Sequence, residues 1–385
     1  MKKMIGILLM VAMLLLTFPV STAAQAVPVD AKAALLMEAH TGRVLFADNE
    51  HEKLPPASVT KVMTMLLIYE ALDNGRIEWD QVVTVSAHAA GMGGSQVYLE
   101  EGEQQTVRDL VKAIVIASAN DAAVAMAEHV AGSESAFVQM MNDRAAALGM
   151  ENTHFKNACG LDAPGHLTTA YDIALMSRQL ITQHPAVFDY TTQRLDKIIH
   201  KTARGEEEFG LTNTNKLLRQ YTGITGLKTG STGEALYCFS ATAERDGMAL
   251  VAVVLGAPNP AARFGGAAKL FDYGFAQYAV LPQEATDTVL GQVTVYKGKQ
   301  ETADAVVQTQ VAVLVPKGNN VEITSEVQLQ PSVNAPLTAG TKLGEVVYTH
   351  NGEEVGRGNL IAAQTVEKAG PGDMMERLFQ RWISN

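Results

Sequence analysis

Between residues 56 and 69 the chain leaves almost no polar face after the first helical turn. Val59, Val62, Met63, Met65, Leu66, Leu67 and Ile68 cover the wheel on all sides. A helix apolar all round belongs in the middle of a fold. Pro55-Pro56 mark where it starts, and Ser58 is an N-cap type of residue. Lys61 follows one turn later on the same face as Ser58. There the positive end of the helix dipole repels a cation, and apolar surroundings favour the neutral amine. A lysine of depressed pKa beside a serine hydroxyl is what a general base needs. A capping serine followed by a lysine that snorkels to solvent has the same spelling, so the pattern alone decides nothing.

Ala34-Leu35-Leu36 and Arg43-Val44-Leu45-Phe46 flank His40-Thr41-Gly42 and predict a β-hairpin. The central helix should end at the turn pair Asn74-Gly75. Residues 82–85 predict a short strand, and the glycine-rich stretch 91–95 a rim loop. Thr106 to Asp109 resembles a capping box with Asp in place of Glu. It opens a helix that stops at Ser118-Ala119-Asn120, where a second helix begins at once. Such a break puts the Ser118 and Asn120 side chains in a corner, although both are ordinary capping residues too. Further helices are expected over 135–148 and 167–181, with the loop Asn157-Ala158-Cys159-Gly160-Leu161-Asp162 between them. From Tyr221 the period changes. The runs 222–230, 236–243 and 248–255 predict adjacent strands, antiparallel because their connections are short. Lys228-Thr229-Gly230 falls on the first, where Gly230 permits close approach of a ligand. Arg263 opens a last helix, with its apolar part over 267–273.

A linker is expected near Leu281-Pro282-Gln283-Glu284. Beyond it, residues 286–366 alternate with period 2, and Asn351-Gly352 marks a tight hairpin. This predicts a small β-sandwich, a spacer or docking module with no chemical constellation of its own. In the tail, residues 373–385, Met374, Met375, Leu378, Phe379, Trp382 and Ile383 recur at helical spacing. An amphipathic terminal helix with aromatic residues on its apolar side suits a membrane surface. It is short and not basic, and packing against its own domain is the other reading.

Lys2-Lys3, an apolar stretch from Ile5 to Phe18 and Ala24-Gln25-Ala26 have the layout of a cleaved signal peptide over residues 1–26. The mature chain of about 359 residues would start near Val27 and work outside the cytoplasm. The net charge of −11 falls to about −13 without the two lysines, and there is no Lys/Arg cluster, which argues against nucleic acid. Cys159 and Cys238 make no disulfide framework. No grouping has zinc-site spacing, and neither a G-x-G-x-x-G nor a P-loop occurs, so neither metal nor cofactor is expected.

Ser58-Val59-Thr60-Lys61, Ser118-Ala119-Asn120 and Lys228-Thr229-Gly230 occur in that order, 60 and 110 residues apart. Each is weak singly. Together they are the S-x-x-K, S-x-N and K-T-G set of penicillin-binding proteins and serine β-lactamases. On these motifs the chain resembles the low-molecular-mass penicillin-binding proteins, the serine D-alanyl-D-alanine carboxypeptidases of the S11 kind. The stretches Ile116 to Ala122, Leu227 to Thr232 and Ala257-Pro258-Asn259 fit as well. The resemblance implies an α/β (α+β) β-lactamase-like transpeptidase domain over 27–281, an antiparallel sheet flanked by helices with a helical subdomain. A β-sandwich over 286–366 and a membrane-associating helix over 373–385 would follow.

The same resemblance implies site roles. Ser58 would be the acylated nucleophile and Lys61 its base; Ser118 would relay a proton, and Asn120 would orient Lys61 and bind the substrate amide. Lys228 and Thr229 would read the substrate's terminal carboxylate, with Gly230 beside them and Arg263 associated with the same carboxylate. Backbone N–H groups of Ser58 and Ser231 would form the oxyanion hole. The implied partners are the peptidoglycan stem peptide, β-lactam antibiotics as covalent inhibitors, and a membrane surface. The implied place is the outer face of the cytoplasmic membrane or the cell wall space. Some relatives carry a histidine at Cys159, and relatives often have a larger residue at Ser231. A DD-endopeptidase, a β-lactamase and a non-catalytic β-lactam-binding protein are the alternatives. The class A deacylation pattern Glu-x-x-x-Asn is missing between Ser118 and Lys228, which counts against the β-lactamase.

Overall fold

The structure is a computed structural model, and it describes residues 27–202, 205–318 and 321–383. The signal peptide expected over 1–26 lies outside the described residues. A five-stranded antiparallel sheet organises the first part of the chain. Its order is Val44–Asp48, Ala33–Glu38, Met248–Ala257, Leu236–Arg245, Ile224–Thr232. Both faces are covered, which explains why Met248 to Leu255 reads as an unbroken apolar run rather than an alternation. Leu35, Met37, Val251, Val253 and Leu255 face the central helix and its neighbours. Leu36, Leu250, Ala252 and Val254 face the helix Pro260–Gln277, through Phe264, Leu270 and Phe271.

The central helix spans Lys61–Asp73, and every residue from Lys61 to Tyr69 is buried. Its apolar circumference is satisfied by the sheet on one side and by helices Asn120–Ala131, Glu134–Ala147 and Ala170–Gln183 on the others. Ser58 is not its N-cap. It lies inside a 3-10 turn, Ala57–Thr60, and no side chain caps either that turn or the helix. Ala57 holds a positive φ of 47°, so the chain arrives at Ser58 through a sharp bend.

Three helix starts differ from the sequence expectation. The helix expected from 167 starts at Ala170, because Thr169 caps it through Asp172 N while Leu167 is drawn into a bridge with His154. The helix carrying Arg263 runs over Pro260–Gln277, capped by Asn259. The helix expected from 135 starts at Glu134, capped by Ser133. A hairpin, Leu195–Thr202 with Gly205–Thr212, had no sequence counterpart. Its strands are mostly exposed, and Glu206, Glu207 and Glu208 hide any alternation.

Beyond Gln277 the chain enters a β-rich region. Residues Tyr278–Pro282 form a strand that pairs with Ala312–Pro316, so the expected linker starts inside a strand. A six-stranded sheet follows, ordered Thr324–Leu329, Lys342–His350, Glu353–Ala362, Thr302–Val307, Val289–Tyr296, Ser332–Asn334. Asn351 and Gly352, at φ 52° and 81°, turn the hairpin the sequence marked. Strand Ala312–Pro316 joins the two parts: Leu314 packs with Phe271 and Phe275, and Val313 and Val315 pack into the second core. The last helix is Pro371–Ile383, with Met374, Met375 and Trp382 exposed at 45%, 72% and 79%. No helix among the described residues is long and apolar enough to cross a membrane.

Candidate active site

The three motifs converge. Lys61 Nζ donates to Ser58 Oγ at 3.1 Å, to Asn120 Oδ1 at 2.6 Å and to the Cys159 carbonyl at 2.7 Å. Burial pushes this amine down to about 8, with the buried Asp121 carboxylate among the charges that oppose the shift. The 3-10 turn leaves the Ser58 hydroxyl free of capping duty, so among the described residues its partner is Lys61.

Ser118 sits where the polar break was expected. The helix Val107–Lys112 loosens into a π-turn over Ala113–Ala117, and Ser118 then takes a left-handed conformation at φ 64°. Ala119 serves as N-cap of the next helix, which begins at Asn120. Ser118 and Asn120 therefore do not spend their side chains on capping. Ser118 Oγ accepts from Lys228 Nζ at 2.8 Å, and Asn120 Nδ2 donates to Gly93 O at 2.7 Å. The neighbouring Asp121 is fully buried and accepts from Val97 N and Leu99 N. It thereby ties the 91–99 rim to the motif.

Lys228, Thr229 and Gly230 lie on the edge strand of the sheet, beside Ser58. A Cβ on Gly230 would come within 2.8 Å of Ser58 N and 3.0 Å of Val59 N, so only glycine lets the strand lie this close. Burial, then the charges of Lys61 and Arg263, hold the Lys228 amine well below its ordinary value. Thr229 Oγ1 is 2.7 Å from Thr214 Oγ1. Ser231 is exposed at the end of the strand, where Thr232 Oγ1 donates to Asp162 Oδ1. Arg263 is set further back: its Nη1 donates to Gly230 O at 3.0 Å and Cys238 O at 3.4 Å, and its guanidinium stacks on Phe264 and Tyr237.

The loop over 157–161 does more than connect. Asn157 Oδ1 accepts from the N–H groups of Cys159, Gly160 and Leu161. That turn aims the Cys159 carbonyl at Lys61. Gly160, at φ 88°, leaves room for Ala57 O, which a Cβ there would meet at 1.9 Å. Thr64 Oγ1 donates to Ala158 O, fastening the loop to the central helix. Buried His166, pushed down to about 4 mainly by burial, is neutral at ordinary pH. Its Nδ1 accepts from Lys156 N, so Nε2 carries the hydrogen and donates to Thr60 Oγ1. Both cysteines are free and buried, and burial raises both thiols, that of Cys238 to about 11. Neither is a ready thiolate. Among the described residues no group of His, Cys, Asp and Glu could hold a metal ion.

A serine, a buried lysine of lowered pKa and a second lysine–serine pair at one edge of the sheet have the makeup of an acyl-transfer site. A family model described as D-alanyl-D-alanine carboxypeptidase matches residues 20–259, more than half of the chain. The chain belongs to that family, peptidase S11. A second model, the C-terminal domain of penicillin-binding protein 5, matches residues 282–368. D-alanyl-D-alanine carboxypeptidase DacF of Bacillus subtilis strain 168 is 40% identical, covering 99% of this chain and 99% of its own. DacC of Escherichia coli K12 is 33% identical over 96% of this chain and 93% of its own. Penicillin-binding protein 5 of Haemophilus influenzae has a similar solved structure: TM-score 0.73, 29% identity, 89% of this chain and 98% of that one. This family member is thus a serine D-alanyl-D-alanine carboxypeptidase of the penicillin-binding-protein type, with that group's transpeptidase-like fold.

Proposed function

We propose that Ser58 is the nucleophile that removes the terminal D-alanine from peptidoglycan stem pentapeptides. The observation that supports this best is the 3.1 Å contact between Lys61 Nζ and an uncapped Ser58 hydroxyl. Neutral Lys61 takes the proton as Ser58 Oγ bonds to the carbonyl carbon of the D-Ala-D-Ala peptide bond. The N–H groups of Ser58 and Ser231 receive the oxyanion. The C–N bond then breaks, and the proton reaches the leaving amine through Ser118. Water attacks the ester, its proton returns through Lys61, and Ser58 is freed. β-Lactams open on the same serine and stall there.

The edge strand is suited to the substrate backbone, because among the described residues no strand pairs with its outer side. Lys228 and Thr229 take the terminal carboxylate. The charges that act on Lys228 are those of Lys61 and Arg263, and an arriving carboxylate opposes them and draws a proton onto the amine. Arg263 supports this from behind by holding Gly230 O, with no contact to the carboxylate required. Mass mapping of the penicillin adduct tests the assignment. The label belongs on the peptide containing Ser58 and is lost in Ser58→Ala; a label elsewhere overturns it.

The site's place in the cell follows from the two ends of the chain. Residues 1–26 direct export and are removed, residues 27–281 form the catalytic domain, and 286–366 a spacer. The exposed Met374, Met375 and Trp382 rest the last helix in the outer surface of the membrane without crossing it. The site then faces the cell wall.

A further inference from the structure

Thr214 belongs to none of the three motifs. It sits in the loop Asn213-Thr214-Asn215, between the hairpin and the Lys228 strand. Both flanking asparagines are lashed down. Asn213 Nδ2 donates to Thr191 O and to Gln193 O at 2.8 Å, and its Oδ1 accepts from Asn215 N at 2.9 Å. Asn215 Oδ1 caps the next turn at Leu217 N, and Asn215 Nδ2 donates to Gly226 O on the strand itself. The loop is therefore held on either side of Thr214, by Asn213 to Thr191 and Gln193 and by Asn215 to the strand, and Thr214 Oγ1 lies 2.7 Å from Thr229 Oγ1.

We propose that Thr214 is a positioning residue for recognition of the substrate's terminal carboxylate, acting through the hydroxyl of Thr229. This rests on the reading of Thr229 as a carboxylate ligand. Two hydroxyls at this distance share one hydrogen between their oxygens. A carboxylate only accepts, so Thr229 serves it only when its own hydrogen points at the ligand. The hydrogen between the two threonines must then come from Thr214. The result is a one-way chain, Thr214 to Thr229 to carboxylate, in which each bond strengthens the next. Thr229 is 5% exposed and Thr214 is exposed. The outer residue thus sets the direction of the inner hydroxyl without being buried against the substrate.

The test is steady-state kinetics of D-alanine release from diacetyl-L-Lys-D-Ala-D-Ala by wild type, T214V, T214S, T229V and the double valine variant. T214V keeps the shape and removes the donor. KM should rise about tenfold in T214V with kcat within about twofold, and T214S should restore KM. The T214V effect should vanish in the T229V background, which a merely structural role for Thr214 would not produce. A T214V indistinguishable from wild type, or a loss undiminished in the T229V background, overturns the proposal while T229V itself still raises KM. A T229V with unchanged KM overturns the carboxylate reading of Thr229 instead, and this inference with it.

Discussion

Lys61 Nζ lies 3.1 Å from Ser58 Oγ at the mouth of a helix whose apolar girth buries the amine completely. Burial is thus the fold's demand, and in the proposed mechanism it also supplies the base. A lysine acting as base must be neutral, and this one is held at about 8. Acylation by penicillin should therefore rise with pH up to about 8 and then level off. Below that it should fall about tenfold per unit. Rates of fluorescent-penicillin labelling between pH 5.5 and 9 read this directly, and a flat profile would contradict it. Lys61→Gln should lose about a thousandfold on the plateau and should no longer show this rise with pH.

Gly230→Ala tests how closely the strand must approach Ser58. The new Cβ meets backbone nitrogens of Ser58 and Val59, so the strand and the turn that carries Ser58 must move apart. Acylation should drop by about a hundredfold. The melting temperature should fall as well, because the clash reaches Ala57 and Val59, which belong to the core around the central helix. A variant with wild-type acylation would show that strand and nucleophile do not approach this closely.

The loop at Cys159 works through its backbone. Cys159→Ala should keep acylation within about threefold, since only the carbonyl reaches Lys61. Asn157→Ala strands three N–H groups and should cost about 2 kcal/mol, a fall of several degrees in melting temperature. Equal losses in the two variants would assign the function to the thiol instead.

The terminal helix should dock the protein on lipid. Residues 27–385 should co-sediment with phospholipid vesicles, and residues 27–370 should lose at least about tenfold in the bound fraction. Trp382 fluorescence should shift to the blue with vesicles. Equal sedimentation of both proteins would dismiss the role.

The sequence carried the central helix, the Ser58–Lys61 relationship and the strands around Lys228 because each follows from local spacing. A residue and its third neighbour share a helical face whatever surrounds them, and an unbroken apolar run demands cover on two sides. The Ser118 break was readable for the same reason, though not its left-handed backbone. What stayed hidden depends on contacts between distant segments. Asn157 looked like any loop residue until its oxygen was found gathering three N–H groups. Thr214 lies 15 residues from its partner Thr229. Ser58 looked like a cap because capping residues and nucleophiles share a hydroxyl, and only the bend at Ala57 separates them. The hairpin over 195–212 lacks the alternation that marks a half-buried strand, since little of it is buried.

The central claim is that Ser58 and Lys61 perform D-Ala-D-Ala hydrolysis. It is tested most directly by D-alanine release from diacetyl-L-Lys-D-Ala-D-Ala by residues 27–370, with Ser58→Ala measured in parallel. The account predicts steady release by the wild type and none by the variant. Release that persists in Ser58→Ala would contradict it.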